Sequence, residues 1–148
     1  MQTEEHEVVI VGAGPTGLAL AIALAQAELR VAVVEPQPAA TLADPPEDGR
    51  EIALTHPSVA LLQRLGVWAQ LGPDEIGRIR EARVVDGPHQ DRPLRFDAAD
   101  SAQAALGFIV ANQALRRASH AVGGRRPGIR LFAGLRATER GVGAHRAG

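Results

Sequence analysis

Val8-Val9-Ile10-Val11-Gly12-Ala13-Gly14-Pro15-Thr16-Gly17 decides the fold of this chain, together with the Glu35 that follows after seventeen intervening residues. Four β-branched residues in a row suit a strand buried on both faces of a parallel sheet, where no polar alternation is needed. The pattern therefore predicts a central strand, then a tight turn, a helix and a second strand. Gly12 lets the chain turn sharply, Gly14 removes a Cβ so that backbone can approach a diphosphate, and Gly17 lets the helix pack close to the strand. Pro15 stands in the first helical turn, where its missing N–H costs nothing. Thr16 follows it in the same turn. The free N–H groups at that helix start, with the helix dipole, form a diphosphate site.

Arg30-Val31-Ala32-Val33-Val34-Glu35 reads as the second buried strand. Its terminal acid is placed to accept hydrogen bonds from a ribose and would repel a 2′-phosphate. The pocket is thus expected to favour the adenosine of FAD or NAD over that of NADP. A glycine triplet alone is a weak signal. The strand before it, the helix after it and the acid at this distance make it a strong one.

Val8 to Ala27 carries no charge over twenty residues, which is long enough for a membrane span, and Ala25-Gln26-Ala27 resembles a signal-peptidase site. The flanks weigh against both readings. Glu4, Glu5 and Glu7 stand where a signal peptide needs positive charge, and three glycines and a proline interrupt the apolar run.

With 148 residues and 45% hydrophobic content, the chain can build one domain with a core. Its net charge of −1 gives no reason to expect nucleic acid as a partner. All basic residues are arginine, so there is neither a Schiff-base lysine nor a P-loop lysine, and the absence of cysteine excludes disulfides and thiol chemistry. His6, His56, His89, His120 and His145 lack ligand spacing, and no metal is proposed.

Pro36 to Arg50 reads as a long surface loop. Thr55-His56-Pro57-Ser58 starts a helix whose Val59, Leu61, Leu62 and Leu65 face a core, with Gly66 as its stop. Trp68 belongs to a short packed turn ended by Gly72-Pro73. Ala82–Val85 and Leu94–Phe96 are candidate partners in an antiparallel unit separate from the parallel sheet. Leu106–Val110 is a further short strand or an extended entry to a helix from Asn112 to about Val122, ended by Gly123-Gly124. Gly128–Phe132 has the pattern of a third parallel strand, and no core pattern follows Leu135.

Three blocks resemble the N-terminal part of the class A FAD-dependent aromatic monooxygenases, and within them the ubiquinone-biosynthesis hydroxylase family. They are Val9–Leu18 with Glu35; Asp48-Gly49-Arg50-Glu51-Ile52-Ala53-Leu54-Thr55 with the helix ending Leu65-Gly66-Val67-Trp68; and Leu106-Gly107-Phe108-Ile109-Val110-Ala111-Asn112 with Leu115. The resemblance implies an α/β Rossmann-like FAD-binding domain with a parallel sheet, cut short, plus the start of a mixed β substrate domain. Its expected divisions are 1–73 and 106–136 for the FAD-binding domain, 74–105 for the substrate-domain sheet and 137–148 for an irregular tail.

The resemblance also implies FAD as cofactor and NAD(P)H as co-substrate, with O2 supplying the hydroxyl placed on an aromatic quinone precursor. Arg50 would lie over the FAD near its diphosphate and ribityl chain, where a permanent planar cation suits phosphate. Asn112 would touch the cofactor, although a plain helix N-cap is the competing reading. With Gly12, Gly14, Pro15, Thr16, Gly17 and Glu35 these complete the expected cofactor site, while no catalytic side chain is assigned; His56 beside Pro57 is expected to be structural. The family has an acid, an Arg and a Leu where Ala111, Gln113 and Ser119 stand.

Family members run to more than twice this length, so the chain reads as their N-terminal portion. The alternatives are a catalytically incompetent dinucleotide-binding remnant and an NAD-linked dehydrogenase. The resemblance further implies a cytoplasmic protein, and leaves peripheral association with the inner membrane or a biosynthetic complex open.

Overall fold

A computed structural model describes residues 5–87 and 89–138. The tail expected to be irregular lies outside the described residues from residue 139 onward, as does His145. The elements run β1 (Val8–Val11), α1 (Pro15–Gln26), β2 (Val31–Glu35), α2 (Ala39–Ala43), β3 (Glu51–Leu54), α3 (His56–Arg64), β4 (Ile76–Ile79), β5 (Glu81–Asp86), β6 (His89–Asp97), β7 (Gly107–Ala111), α4 (Asn112–Gly123) and β8 (Ile129–Ala133).

β1, β2 and β8 form a parallel sheet in the order β1-β2-β8, with Ile10 opposite Val33 and Val33 opposite Leu131. A parallel neighbour requires a crossover, and α1 supplies it between β1 and β2. The chain is therefore an α/β protein with a Rossmann-like parallel sheet, as its glycine turn implied. β2, and not β1, is the central strand: Val31, Ala32 and Val33 are buried, whereas Val9 and Val11 are 61% and 59% exposed. Apolar residues on consecutive positions mark a strand as fit for burial on both sides, but strand order is a long-range property that this signal does not contain.

The uncharged run Val8–Ala27 is divided between a strand, a turn and a twelve-residue helix. Among the described residues no helix is long and apolar enough to cross a membrane. α1 packs its buried Leu18, Ala21 and Ile22 against the sheet and α4. The helix sits close because Gly17 has no side chain: a Cβ there would run into the carbonyl oxygen of Gly12, well inside contact distance. At the other end, a Cβ on Gly123 would come within 3.1 Å of Leu18.

β3, β7 and β4 make a second, antiparallel sheet in the order β3-β7-β4, and β5 and β6 pair as a separate antiparallel hairpin. α3 begins where Thr55 accepts a hydrogen bond from the Ser58 N–H, with Pro57 in its first turn. Leu62 and Leu65 then join Val67, Val110 and Leu115 in one core cluster. Ser119 stands fully buried on α4, and its hydroxyl donates to the Leu115 carbonyl at 2.8 Å. This buried polar residue is thus satisfied within its own helix.

Two outcomes follow from this packing. Gly17→Ala should lower stability by about 1–3 kcal/mol, since the intruding methyl meets backbone that cannot rotate away; chemical denaturation reads it, and a loss under about 0.5 kcal/mol would mean that the turn relaxes freely. Because Val9 and Val11 lie open on an edge strand, Val9→Thr with Val11→Thr should raise the monomer fraction of the isolated chain in sedimentation velocity. An unchanged distribution would mean that this face does not drive self-association.

Candidate functional site

The first wall of the site is the turn between β1 and α1. Gly12 turns at φ +106°, a conformation in which a side chain would be strained, and its N–H donates to the Val34 carbonyl at 2.8 Å. Gly14 caps α1 at φ −72°, ψ 176° with no side-chain cap, and Pro15 opens the helix. The N–H groups of Thr16 and Gly17 therefore have no carbonyl one turn back to bond, and the dipole adds positive potential there. A Cβ placed on Gly14 would meet nothing within 4 Å, so the space in front of this helix end is open. These features fit a diphosphate.

Glu35 ends β2 and reaches back to the turn. Its carboxylate accepts from the Ala13 N–H at 2.8 Å through Oε2 and from the Gln37 N–H at 2.9 Å through Oε1. An ionised carboxylate offers roughly four lone-pair sites, so capacity remains for ribose hydroxyls after both backbone bonds are made.

The second wall comes from the segment before β3 and the start of α4. Asp48 accepts from the backbone N–H of Arg50 at 3.1 Å, from its Nε at 2.9 Å and from its Nη2 at 2.6 Å. The same carboxylate accepts from Asn112 Nδ2 at 2.7 Å. Gly49 between Asp48 and Arg50 takes φ +69°, which the turn needs. The Arg50 carbonyl in turn accepts from the Asn112 N–H at 2.9 Å. Asn112 is the first residue of α4, behind the cap position held by Ala111, and is only 6% exposed. The plain N-cap reading of Asn112 is therefore corrected: its amide serves Asp48 and not the helix end.

Gly14, Pro15, Glu35, Arg50 and Asn112 meet in one cleft of about 330 Å3. Gly12 and Gly17 shape its turn from behind without lining it. Thr16 is exposed and borders an adjoining apolar groove of about 520 Å3 between α1 and α3, lined with it by Leu20, Ile52 and Leu61 and sharing Pro15 and Asn112 with the cleft. Gln37 and Arg116 also line this cleft, and Asp48, part of the Asp48-Gly49-Arg50 block, stands beside it. Asp48 carries a local signal, since Asp-Gly is a turn pair whose side chain bonds backbone two residues on, but its bond to Asn112 spans 64 positions. Gln37 and Arg116 stand at the rim, where Arg116 donates to the Gln37 side-chain oxygen at 2.6 Å, and no pattern links positions so far apart.

His56 has a structural task. Its Nε2 lies 2.9 Å from the Ala105 carbonyl, which can only accept, so that nitrogen carries the proton. Its ring stands edge-on to Phe108 at 5.6 Å, and Trp68 packs on the same ring at 5.7 Å.

The Arg50 guanidinium, then the Asn112 amide and the Arg50 backbone N–H, hold the Asp48 carboxyl down at about 2, below its ordinary 3.8. Each of these donors favours the ionised form.

Comparison with known proteins agrees with this geometry. The family described as "FAD binding domain" matches residues 5–123. The chain is 41% identical over 120 residues to the ubiquinone hydroxylase UbiM of Neisseria meningitidis, covering 78% of this chain and 26% of that protein. It is 36% identical over 119 residues to the 3-demethoxyubiquinol 3-hydroxylase of Escherichia coli, covering 80% of this chain and 30% of that one. In fold it is similar to the crystal structure of PqsL, a probable FAD-dependent monooxygenase from Pseudomonas aeruginosa. The TM-score is 0.67 at 20% identity, over 93% of this chain and 36% of that one. The chain thus spans roughly 26–30% of the length of these curated relatives.

The Asp48 contacts generate a test. A folded pKa below the unfolded one means that the Asp48 contacts contribute fully above about pH 4 and are lost as pH falls through about 2. In a carbon-detected NMR titration Asp48 should titrate near 2, and Arg50→Ala should move its midpoint up toward 3.8. A midpoint that ignores the arginine would show that the pair does not persist in solution.

Proposed function

The chain belongs to the FAD binding domain family, and from that premise we propose that it is the N-terminal, cofactor-seating portion of an NAD(P)H- and O2-dependent hydroxylase that acts on an aromatic ubiquinone precursor. One observation carries the reading: an open helix N-terminus at Gly14 faces a backbone-anchored carboxylate at Glu35 and an arginine held at Arg50 in a single cleft. The names of the two hydroxylase relatives support the substrate class.

When bound, FAD supplies the redox chemistry that links NAD(P)H, O2 and the ring to be hydroxylated. The residues here bind and orient it. The free N–H groups at the start of α1 would face the diphosphate, and the bare Gly14 would let the anion approach backbone. Glu35 takes ribose hydroxyls with its spare lone pairs and disfavours a phosphate at the 2′ position by like charge. Arg50 offers a planar set of donors to the diphosphate from the opposite wall. On the same reading the protein works in the cytoplasm, at the periphery of the inner membrane where a polyprenylated substrate partitions.

Calorimetric titration of the purified chain tests the assignment. FAD and ADP should bind, NADP+ should bind most weakly, and Gly14→Val should abolish binding while its unfolding transition stays in place, because the new side chain meets solvent and not protein. Absence of FAD and ADP binding in the wild-type chain would make it a dinucleotide-binding remnant. A preference for NAD+ over FAD would point to a nicotinamide-linked dehydrogenase.

A further inference from the structure

Asp48 is acidic, yet it stands beside a cleft read as the seat of an anion and binds two of the residues that line it, Arg50 and Asn112. A bare carboxylate there would oppose the diphosphate by like charge. Its surroundings show a different arrangement: Oδ2 takes Arg50 Nε, Arg50 Nη2 and Asn112 Nδ2, while Oδ1 takes the Arg50 backbone N–H. Two candidate cofactor residues from distant blocks, one on the segment before β3 and one at the start of α4, thus share a single acceptor.

We propose that Asp48 is the positioning residue of this cleft: its carboxylate fixes which edge Arg50 and which atom of Asn112 present to the cofactor, and so assigns the diphosphate to Arg50 and a hydroxyl to Asn112. The inference rests on the FAD reading above. An ionised carboxylate only accepts, so Asn112 must turn its NH2 toward Asp48. That leaves Oδ1 as the group able to face the cleft. A carbonyl oxygen has nothing to accept from an ionised phosphate, but it can accept from a hydroxyl, and the ribityl chain of FAD carries such groups beyond the diphosphate. The near-complete burial of Asn112 and its place in the first turn of α4 keep the amide from swinging away.

Arg50 is treated in the complementary way. Its guanidinium carries five N–H donors in one plane, and Asp48 engages Nε and one on Nη2. The remaining donors lie on the other edge of the same plane, where a phosphate could take two of them. With its orientation already set, the arginine gives up less side-chain freedom when the anion arrives. Asp48 touches no part of the ligand in this scheme; it acts through the two residues it holds.

A set of variants titrated with both FAD and ADP, which shares the diphosphate but lacks the ribityl chain, tests the scheme. Asp48→Asn should weaken FAD binding about tenfold, the order expected for a lost charge-assisted hydrogen bond. Arg50→Ala should weaken both ligands. In the Arg50→Ala background, adding Asp48→Asn should change ADP affinity less than about twofold, since the carboxylate has no arginine left to aim. Asn112→Ala should weaken FAD more than ADP, and Asp48→Asn should narrow the FAD-to-ADP preference only where Asn112 is present.

Asp48→Glu keeps the charge but displaces it by one methylene, and it should recover part of the ADP affinity lost in Asp48→Asn. A merely structural aspartate would weaken both ligands equally with or without Arg50, in step with the unfolding midpoint. That additive result, or unchanged affinities in Asp48→Asn, overturns the proposal while leaving the FAD reading intact. Failure of the wild-type chain to bind either ligand overturns both.

Discussion

The close approach of Gly17 to the Gly12 carbonyl is the constraint on which the rest of this structure depends. It lets α1 lie directly against the end of β1, which brings the first turn of the helix to the mouth of the sheet. Any side chain at residue 17 would hold the helix off and move its N-terminus away from Glu35. The left-handed turn at Gly12 and the hydrogen bond from its N–H to Val34 secure the same junction from the strand side. The Ala13 N–H then falls within 2.8 Å of the Glu35 carboxylate, so the acid that ends β2 is oriented by the turn that follows β1. One missing methyl group thereby sets the relation between the N-terminus of α1 and the carboxylate that ends the neighbouring strand.

The far wall is built on another principle. No glycine turn between strand and helix places Arg50 and Asn112. β3 and β7 pair with Glu51 opposite Ala111, which sets Arg50 and Asn112 side by side just beyond the ladder, joined by the bond from the Asn112 N–H to the Arg50 carbonyl. Asp48 then binds both side chains. The antiparallel register therefore does for this wall what the glycine turn does for the first. The cleft forms where the two junctions face one another, with Gln37 and Arg116 joining the walls at the rim.

How much of this could be read from the chain follows from the range of each interaction. The glycine turn, Glu35, the proline-started helix at Thr55 and the helix after Ala111 are written in neighbouring residues, and each was legible. α2 was not, because five residues in a proline-rich loop carry less than two turns of periodicity. β3 and β4 have four residues each, too few for alternation to stand out, and both exist through their pairing with β7. The edge position of β1 is likewise a fact of strand order, which its β-branched run could not contain. The site divides in the same way. Gly14 and Glu35 announce themselves by type and spacing and Arg50 through the block that carries the family resemblance, whereas the contact of Asp48 with Asn112 becomes visible only once α4 is brought against the segment before β3.

The arginine-only basic content bears on what these contacts are worth. Arg30 pairs with Glu7, Arg95 with Glu81 and Asp97, Arg83 with Glu81, and Arg117 with Glu75, all with side chains at least partly in solvent. Exposed pairs of this kind contribute about 0–1 kcal/mol and weaken with salt. They do not explain the fold, which follows from the apolar clusters around α1, α4 and the sheet. Asp48 with Arg50 is exposed to a similar degree, so by the same reasoning its contribution to stability is small. What distinguishes it is connection: its carboxylate also holds a buried amide on another element, at the opening of the cleft. An interaction that contributes little to folding but fixes the direction of two polar groups is best understood through the ligand those groups are set to meet.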